Sequence, residues 1–305
     1  NREISIDWIV EESFIELLKF HPHINAVHLV NLRNAKKKKS IMIFIKELTK
    51  LRHLDSYDLV IDLQGLIKSA LISKLIPSKV TLGFDKFSTR ERVASFFYNK
   101  TFKYGYDENI IERNVAIIEF ALGLNISKKQ IEKKLTYLIP SQQYSNFALS
   151  NTKKNIILVL GASFASKRYP VEKFAELTNL LDANYLITWG TEDEKYLADS
   201  LKKLAPNVHI CDKLSLGGLI SLVAKVDLII GPDTGPTHMG WALNIPSITL
   251  FGPTPGNRNS YATKINRIIE SKSEVNPHKI NKNDNSIREI SPIEIVKLSQ
   301  DILNK

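Results

Sequence analysis

Residues 226–254 read VDLIIGPDTGPTHMGWALNIPSITLFGPT, and they constrain the fold more than any other stretch of the chain. An apolar run (226–230) meets a turn punctuated by Gly and Pro. A helix-like segment (237–243) follows, then a second apolar run (247–251) and a Gly-Pro-Thr turn. This order predicts strand, tight loop, helix, strand, tight loop. In open parallel α/β sheets, the loops at the carboxyl ends of the strands line the ligand crevice. Gly231, Gly235 and Gly252 are expected to let backbone N–H groups approach a ligand closely. Thr234 and the N–H groups beside it mark the start of the next helix, a natural seat for phosphate. Asp233 adds an acceptor and His238 a titratable group at the same mouth. A nucleotide diphosphate carrying a sugar is the simplest ligand for that set.

The same alternation runs through the rest of the chain. Strands are predicted over 4–10, 26–30, 59–63 and 79–83, with helices over 14–20, 40–51, 67–76, 90–98 and 109–122. Gly123 suits the C-terminal cap of the last of these. The polar segment 127–155 carries the linker near its end. A second series then begins, with strands over 156–160, 185–189 and 208–211 and helices over 171–181, 192–204 and 216–224. The tail 271–289 is expected to be irregular, and Ser291-Pro292 to open a last helix. The pattern predicts an α/β protein built as two Rossmann-like domains facing a cleft, over 1–150 and 151–290. Residues 291–305 are expected to form a helix returning to the first domain.

Composition narrows the function. Cys211 is the only cysteine, which excludes an internal disulfide and a multi-thiolate metal site and fits a cytoplasmic setting. No apolar run reaches the ~18 residues a membrane span needs. The net charge of +10 implies an anionic partner. No zinc-finger spacing, aromatic RNA-binding pattern or Gly-X-X-Gly clamp is present, so nucleic acid ranks last. Phosphorylated substrates and an anionic membrane surface remain, and lysines 36–39 suit contact with the acceptor or with such a surface.

Six strings, in this order, resemble the ADP-heptose:lipopolysaccharide heptosyltransferases, nearest their heptosyltransferase I branch: VIDLQGLIKSA (60–70), TRERVASFFYN (89–99), SKRYP (166–170), TWGTEDE (188–194), GPDTGPTH (231–238) and LFGPT (250–254). The resemblance spans nearly the whole chain. It implies a GT-B architecture and inverting, metal-independent transfer of L-glycero-D-manno-heptose, with no cofactor. ADP-heptose is the implied donor and a Kdo residue on lipid A the implied acceptor. The implied location is the cytoplasmic face of the inner membrane, with the enzyme peripheral to it. It places Ser163 and Lys167 on the diphosphate, Glu194 on the ribose hydroxyls and Leu214 against adenine. The residues themselves are compatible with this. No Asp-X-Asp clamp sits at a strand end, so Lys167, Ser163 and the N–H groups around Thr234 and Gly235 must neutralise the leaving group. Lys167 and Asp233 are the catalytic candidates; His238 completes the donor set. Asp233 equally suits a helix cap, His238 and Leu214 a structural role, and Glu194 a first-turn position on its helix.

The acceptor half is expected to use Asp62, Gln64, Gly65, Lys68, Arg90, Arg92 and Arg113, basic groups suited to carboxylates and phosphates. Family members carry a strand, a loop with an Asp, and a helix ahead of the segment matching ISIDWIVEESF (4–14). The reading expects that unit, and its general base, to be absent from this chain; Asp7 and Asp62 are the nearest carboxylates by context. Two alternatives stay open: heptosyltransferase II or another GT-B nucleotide-sugar enzyme, and a non-catalytic nucleotide-binding protein.

Overall fold

The computed structural model describes residues 4–141, 143, 144 and 146–304. The chain divides into two compact units, one made of Asn1–Ile15 and Pro22–Lys133, the other of Glu16–His21 and Lys134–Lys305.

The first unit runs β1 (Asp7–Glu11), β2 (Ala26–Val30), α1 (Leu32–Lys37), α2 (Ile41–Leu51), β3 (Tyr57–Ile61), α3 (Ile67–Leu75), β4 (Ser78–Phe84), β5 (Lys100–Phe102), α4 (Ile110–Leu122) and α5 (Lys128–Glu132). Its strands form two parallel sheets, β1-β2 and β3-β4-β5. No residue of β1 or β3 is fully buried, whereas the last four of β4 are. Side chains link the two sheets. The Tyr57 hydroxyl donates to Asp7 (2.6 Å), and His28 Nε2 lies 3.1 Å from both. Gly123 ends α4 at φ 67°, where a side chain would be strained. The stretch 90–98, expected as a helix, is only a 3-10 turn over Arg92–Phe97, with Ala94 its one fully buried residue. That is too little apolar surface to anchor further turns.

The second unit runs β6 (Asn155–Val159), α6 (Val171–Leu180), β7 (Asn184–Thr188), α7 (Glu192–Leu204), β8 (His209–Ile210), α8 (Leu216–Val223), β9 (Leu228–Pro232), α9 (Gly235–Leu243), β10 (Ser247–Phe251), α10 (Gly256–Asn259), β11 (Asn266–Glu270) and α11 (Pro292–Leu303). One six-stranded parallel sheet has the order β11-β10-β9-β6-β7-β8. The chain enters at the middle, runs outward through β7 and β8, then returns beside β6 and runs the other way. The order therefore reverses between β6 and β9, and such a switch point opens a crevice at the strand ends.

Every residue of β6, β7, β9 and β10 is buried, which is why these strands read as mainly apolar runs. Alternate residues divide between two cores. Ile156, Leu158, Ile187 and Ile230 face the side covered by α6, α7 and α11, while Ile157, Val159, Leu186 and Ile229 face α8 and α9. Leu138, Phe147 and Leu149 pack into the second of these cores, so the polar stretch ahead of β6 lies with this unit. Helix α11, expected to return to the first domain, belongs to the second unit. It packs on α6 and adds Ile295, Val296 and Ile302 to the core of the second, because those residues form one apolar face. Pro292 does sit in its first turn, but the Ser291 side chain makes no capping hydrogen bond.

Candidate active site

The strand ends at the switch point carry the donor-side candidates. After β6 the chain passes exposed Ser163 and makes a 3-10 turn over Ala165–Lys167 that buries Lys167. After β9 comes Asp233, 9% exposed. Lys167 Nζ donates to Asp233 Oδ2 at 2.8 Å. The same oxygen accepts from Thr254 Oγ1 (2.9 Å), beyond β10, and from Asn259 Nδ2 (3.2 Å) on α10. His238 Nε2 lies 2.9 Å from the other oxygen, Oδ1. Loops following three adjacent strands thus converge on one carboxylate. Burial alone would raise the Asp233 pKa. The hydrogen bond from His238 and the charge of Lys167 outweigh it and hold the carboxyl well below the usual carboxylate range. Asp233 is an anion whose negative charge is already shared among its donors.

Asp233 does not cap α9. Thr234 occupies the N-cap position and its side chain makes no capping bond; its hydroxyl lies 3.3 Å from that of Thr237. The amides of the first turn therefore keep their capacity for an anion. The glycines divide by task. A Cβ on Gly235 would meet open space, so the backbone there is accessible. A Cβ on Gly231 would strike Val159, and one on Gly252 would strike Ile287. Those two glycines permit close packing of the protein on itself and do not serve ligand approach, as had been expected of them.

Glu194 closes the opposite side of the switch. It accepts from the backbone of Gly190 (2.7 Å) and Thr191 (3.1 Å), while Thr191 Oγ1 accepts from the Glu194 amide, a capping box for α7. Its carboxylate also fills the space over Gly161 at the end of β6, where a Cβ would collide with it. Leu214, in the loop ahead of α8, is half-buried against the α8–α9 core. The Trp189 indole donates to the Cys211 carbonyl (2.8 Å) and pins the neighbouring turn.

In the first unit the acceptor-side candidates separate into two groups. Asp62, Gln64, Gly65 and Lys68 share the loop after β3. The Asp62 carboxylate, 4% exposed, accepts from the amides of Gln64 (2.8 Å) and Gly65 (3.3 Å) and from the hydroxyls of Ser69 (2.7 Å) and Tyr98 (2.6 Å). It braces the loop and does not present an acceptor to solvent. Gly65 needs its φ of 65° to make the turn, and a Cβ there would crowd Thr89 at 3.0 Å. Glu91 accepts from the Ile67 amide (2.7 Å), which brings exposed Arg90 and Arg92 beside exposed Gln64 and Lys68. Lys68 pairs with Glu11 at 3.2 Å. Arg113 is not among them. It is 3% exposed, lies over the Phe84 ring and donates to the carbonyls of Ser88, Tyr104 and Gly105. Its guanidinium ties loops together, a task for which five planar donors suit it.

Thr254 and Asn259 were not singled out from sequence. Thr254 ends the string LFGPT, and its Gly-Pro turn after a buried strand repeats that of GPDT one strand earlier. That repetition was the available signal.

The model of glycosyltransferase family 9 (heptosyltransferase) matches residues 46–286. Lipopolysaccharide heptosyltransferase 1 of Campylobacter coli is 34% identical over 99% of this chain and 91% of its own length. The enzyme of the same name from Escherichia coli strain K12 is 30% identical over 85% of this chain and 82% of its own. The solved E. coli heptosyltransferase WaaC with ADP superposes with a TM-score of 0.77 at 24% identity, covering 98% of this chain and 90% of that one. That likeness shows the fold, two Rossmann-like units of the GT-B type. With the family model matching most of its length, the chain belongs to glycosyltransferase family 9 and is a sugar-transferring enzyme.

Proposed function

We propose that the enzyme moves L-glycero-D-manno-heptose from ADP-heptose to a Kdo residue of the lipopolysaccharide inner core. Transfer proceeds with inversion and without a metal ion, at an anionic membrane surface on the cytoplasmic side. The observation that carries this reading is the buried Lys167 ammonium held 2.8 Å from Asp233, next to the uncapped first turn of α9. Two lipopolysaccharide heptosyltransferases 1 among the relatives support it, as do WaaC structures with ADP and with ADP-2-deoxy-2-fluoro heptose.

The chemistry follows from charge. The bond between the anomeric carbon and the ADP oxygen breaks with its electron pair going to ADP. The acceptor hydroxyl oxygen forms the new bond from the opposite face, which inverts the centre, while its O–H bond breaks and the proton passes to solvent. Negative charge grows on the leaving phosphate. Lys167, the Ser163 hydroxyl and the Gly235 amide are set to receive it, and groups that strengthen their hydrogen bonds as charge develops lower the barrier. Asp233, held ionised, accepts from a sugar hydroxyl while its donors keep it in place. His238 donates from the same cluster, Glu194 takes the ribose hydroxyls, and Leu214 offers an apolar surface to adenine. Gln64, Lys68, Arg90 and Arg92 bind the anionic acceptor. Neither Asp7 nor Asp62 is assigned as the base that takes the acceptor proton. Burial would raise Asp7, but hydrogen bonds from Tyr57, Asn25 and His28 lower it to about 2, leaving it a weak base. Asp62 is already satisfied by two amides of its own loop and by the hydroxyls of Ser69 and Tyr98.

The test is transfer from ADP-heptose in EDTA by the native full-length protein, with acceptors ending in Kdo or in a first heptose. Transfer to the Kdo acceptor alone is expected. Transfer to the heptose-terminated acceptor alone would replace this reading with that of the second heptosyltransferase. An absolute need for divalent metal would overturn the mechanism.

A further inference from the structure

Helix α2 turns one face inward and leaves the other uncovered. Phe44, Leu48 and Leu51 pack into the core of the first unit. Glu47 on the same face is buried, accepting from the Asn31 amide (3.1 Å) and the Lys50 ammonium (2.6 Å), so the helix is fixed in rotation. The opposite face presents Ile41, Met42 and Ile45, which are 76%, 81% and 53% exposed. Lys46 and Thr49 continue that face, both exposed. An outward helical face is ordinarily polar. Three aliphatic side chains in its first turns require another explanation.

The segment just ahead supplies one. Residues 36–39 are four lysines, all exposed. Only three residues separate the end of α1 from the start of α2 here. Lys39 takes φ 49°, and Ser40 caps α2 by accepting from the Ile43 amide at 3.3 Å. The bend sets the cationic run against the same end of α2 that carries the aliphatic residues.

We infer that this α1–α2 corner docks the protein on an anionic lipid bilayer. Ile41, Met42 and Ile45 enter the boundary between headgroups and acyl chains, and lysines 36–39 with Lys46 lie against lipid phosphates. This combination of an apolar helical face and a basic flank is what interfacial binding uses. A nucleic acid would engage the lysines and leave the aliphatic residues in water. A second copy would bring two runs of like charge together. The inference rests on the membrane part of the proposed function and names the surface responsible for it.

The experiment is vesicle flotation of the full protein, with phosphatidylcholine alone or doped with phosphatidylglycerol, and with no Kdo-bearing lipid. The wild type should float with the anionic vesicles only, and less at high salt. The variant Ile41→Ser/Met42→Ser/Ile45→Ser should lose at least ~10-fold in vesicle affinity. It should keep its melting temperature and its transfer rate to a water-soluble Kdo acceptor, because the replaced side chains are exposed and outside the site. Replacing lysines 36–39 by Gln should cost ~100-fold or more in vesicle affinity. If the wild type floats and both variants float equally well, this surface is wrong and the membrane reading stands on other residues. If the wild type floats with neither vesicle, the membrane reading itself fails. If sedimentation shows a wild-type dimer that the triple Ser variant abolishes, without any difference in flotation, the face joins two copies and the proposal is overturned.

Discussion

Asp62 lies in the first unit and Asp233 in the second, and their surroundings differ. Each follows a parallel strand, β3 or β9, each is buried, and each accepts from four partners. The donors of Asp62 are neutral and come from nearby backbone or from hydroxyls in its own unit. Those of Asp233 include an ammonium and an imidazole, and His238 is partly open to solvent. A carboxylate satisfied by neutral donors builds a loop. A carboxylate that holds a cation in place can pass that cation to a ligand. Both stand at the end of a parallel strand; on the proposed function, the charge of the partners is what separates a structural aspartate from a functional one.

The largest expected effect tests the functional side of this comparison. Lys167→Ala should lower turnover by about 10²–10³, the loss seen when a single group opposing developing charge is removed. ADP affinity measured by calorimetry in EDTA should fall as well, since the ammonium binds the ground-state diphosphate too. Unchanged ADP affinity and turnover would remove Lys167 from the mechanism and make its pair with Asp233 another loop brace.

Asp62→Asn should act on stability instead. The amide nitrogen would place a donor among donors: with Oδ1 kept for the Gln64 and Gly65 amides, Tyr98 and Ser69 lose their shared acceptor, at a cost of ~2–3 kcal/mol. Burial and the adjacent carboxylate push the Tyr98 phenol far above its ordinary value, so it remains a neutral donor at any working pH. Chemical denaturation measures the loss. ADP binding to the second unit should be unaffected; a parallel loss of ADP affinity would contradict the division of labour.

How much of this was legible in the sequence depends on where the partners lie. The sheet of the second unit could be read almost strand by strand, because central parallel strands are buried on both faces and leave mainly apolar runs such as 156–159 and 247–251. The short edge strands β5 and β11 escaped, since half-exposed sequences such as Lys-Thr-Phe carry no such signal. Helix α1 was hidden by its own lysines; only Leu32 and Ala35 face inward. The candidate residues Lys167, Asp233 and His238 were readable as types at strand ends. Their mutual contact was not, because Lys167, Thr254 and Asn259 lie 66, 21 and 26 residues from Asp233 and meet it only through strand order. Arg113 was misread for the same reason, since a buried and an exposed arginine look alike in a sequence.

Acid titration adds a third carboxylate to the comparison. Asp7 has its folded pKa lowered from 3.8 to about 2. Its stabilisation is therefore present above the unfolded value and is lost as pH falls from about 4 through about 2. The full shift would correspond to ~2 kcal/mol, less what solvent screening removes from a partly exposed pair. Wild-type stability should drop more steeply than that of Asp7→Asn over that window in denaturant melts. Parallel curves would mean that the Asp7–His28–Tyr57 link adds nothing to joining the two sheets of the first unit.

The smallest effect discriminates best. Thr254→Val removes one neutral donor from Asp233, and Ser69→Ala removes one from Asp62. Each deletes one hydrogen bond to a buried carboxylate, and Ser69→Ala also leaves the Leu66 amide without the Ser69 oxygen it donates to at 3.2 Å, so each should cost ~1–2 kcal/mol or slightly more of stability. On stability alone the two variants would be hard to tell apart. Turnover should separate them. With Thr254 gone, Asp233 keeps Lys167, His238 and Asn259 but loses a fixed orientation, and a misaligned carboxylate presents both Lys167 and the sugar hydroxyls poorly. A fall of several-fold in kcat with little effect on KM is expected for Thr254→Val, because the orientation matters most as charge develops. Ser69→Ala should leave both constants alone. Equal kinetic losses in the two variants would mean that Asp233 acts on catalysis only by holding its unit together, as Asp62 does.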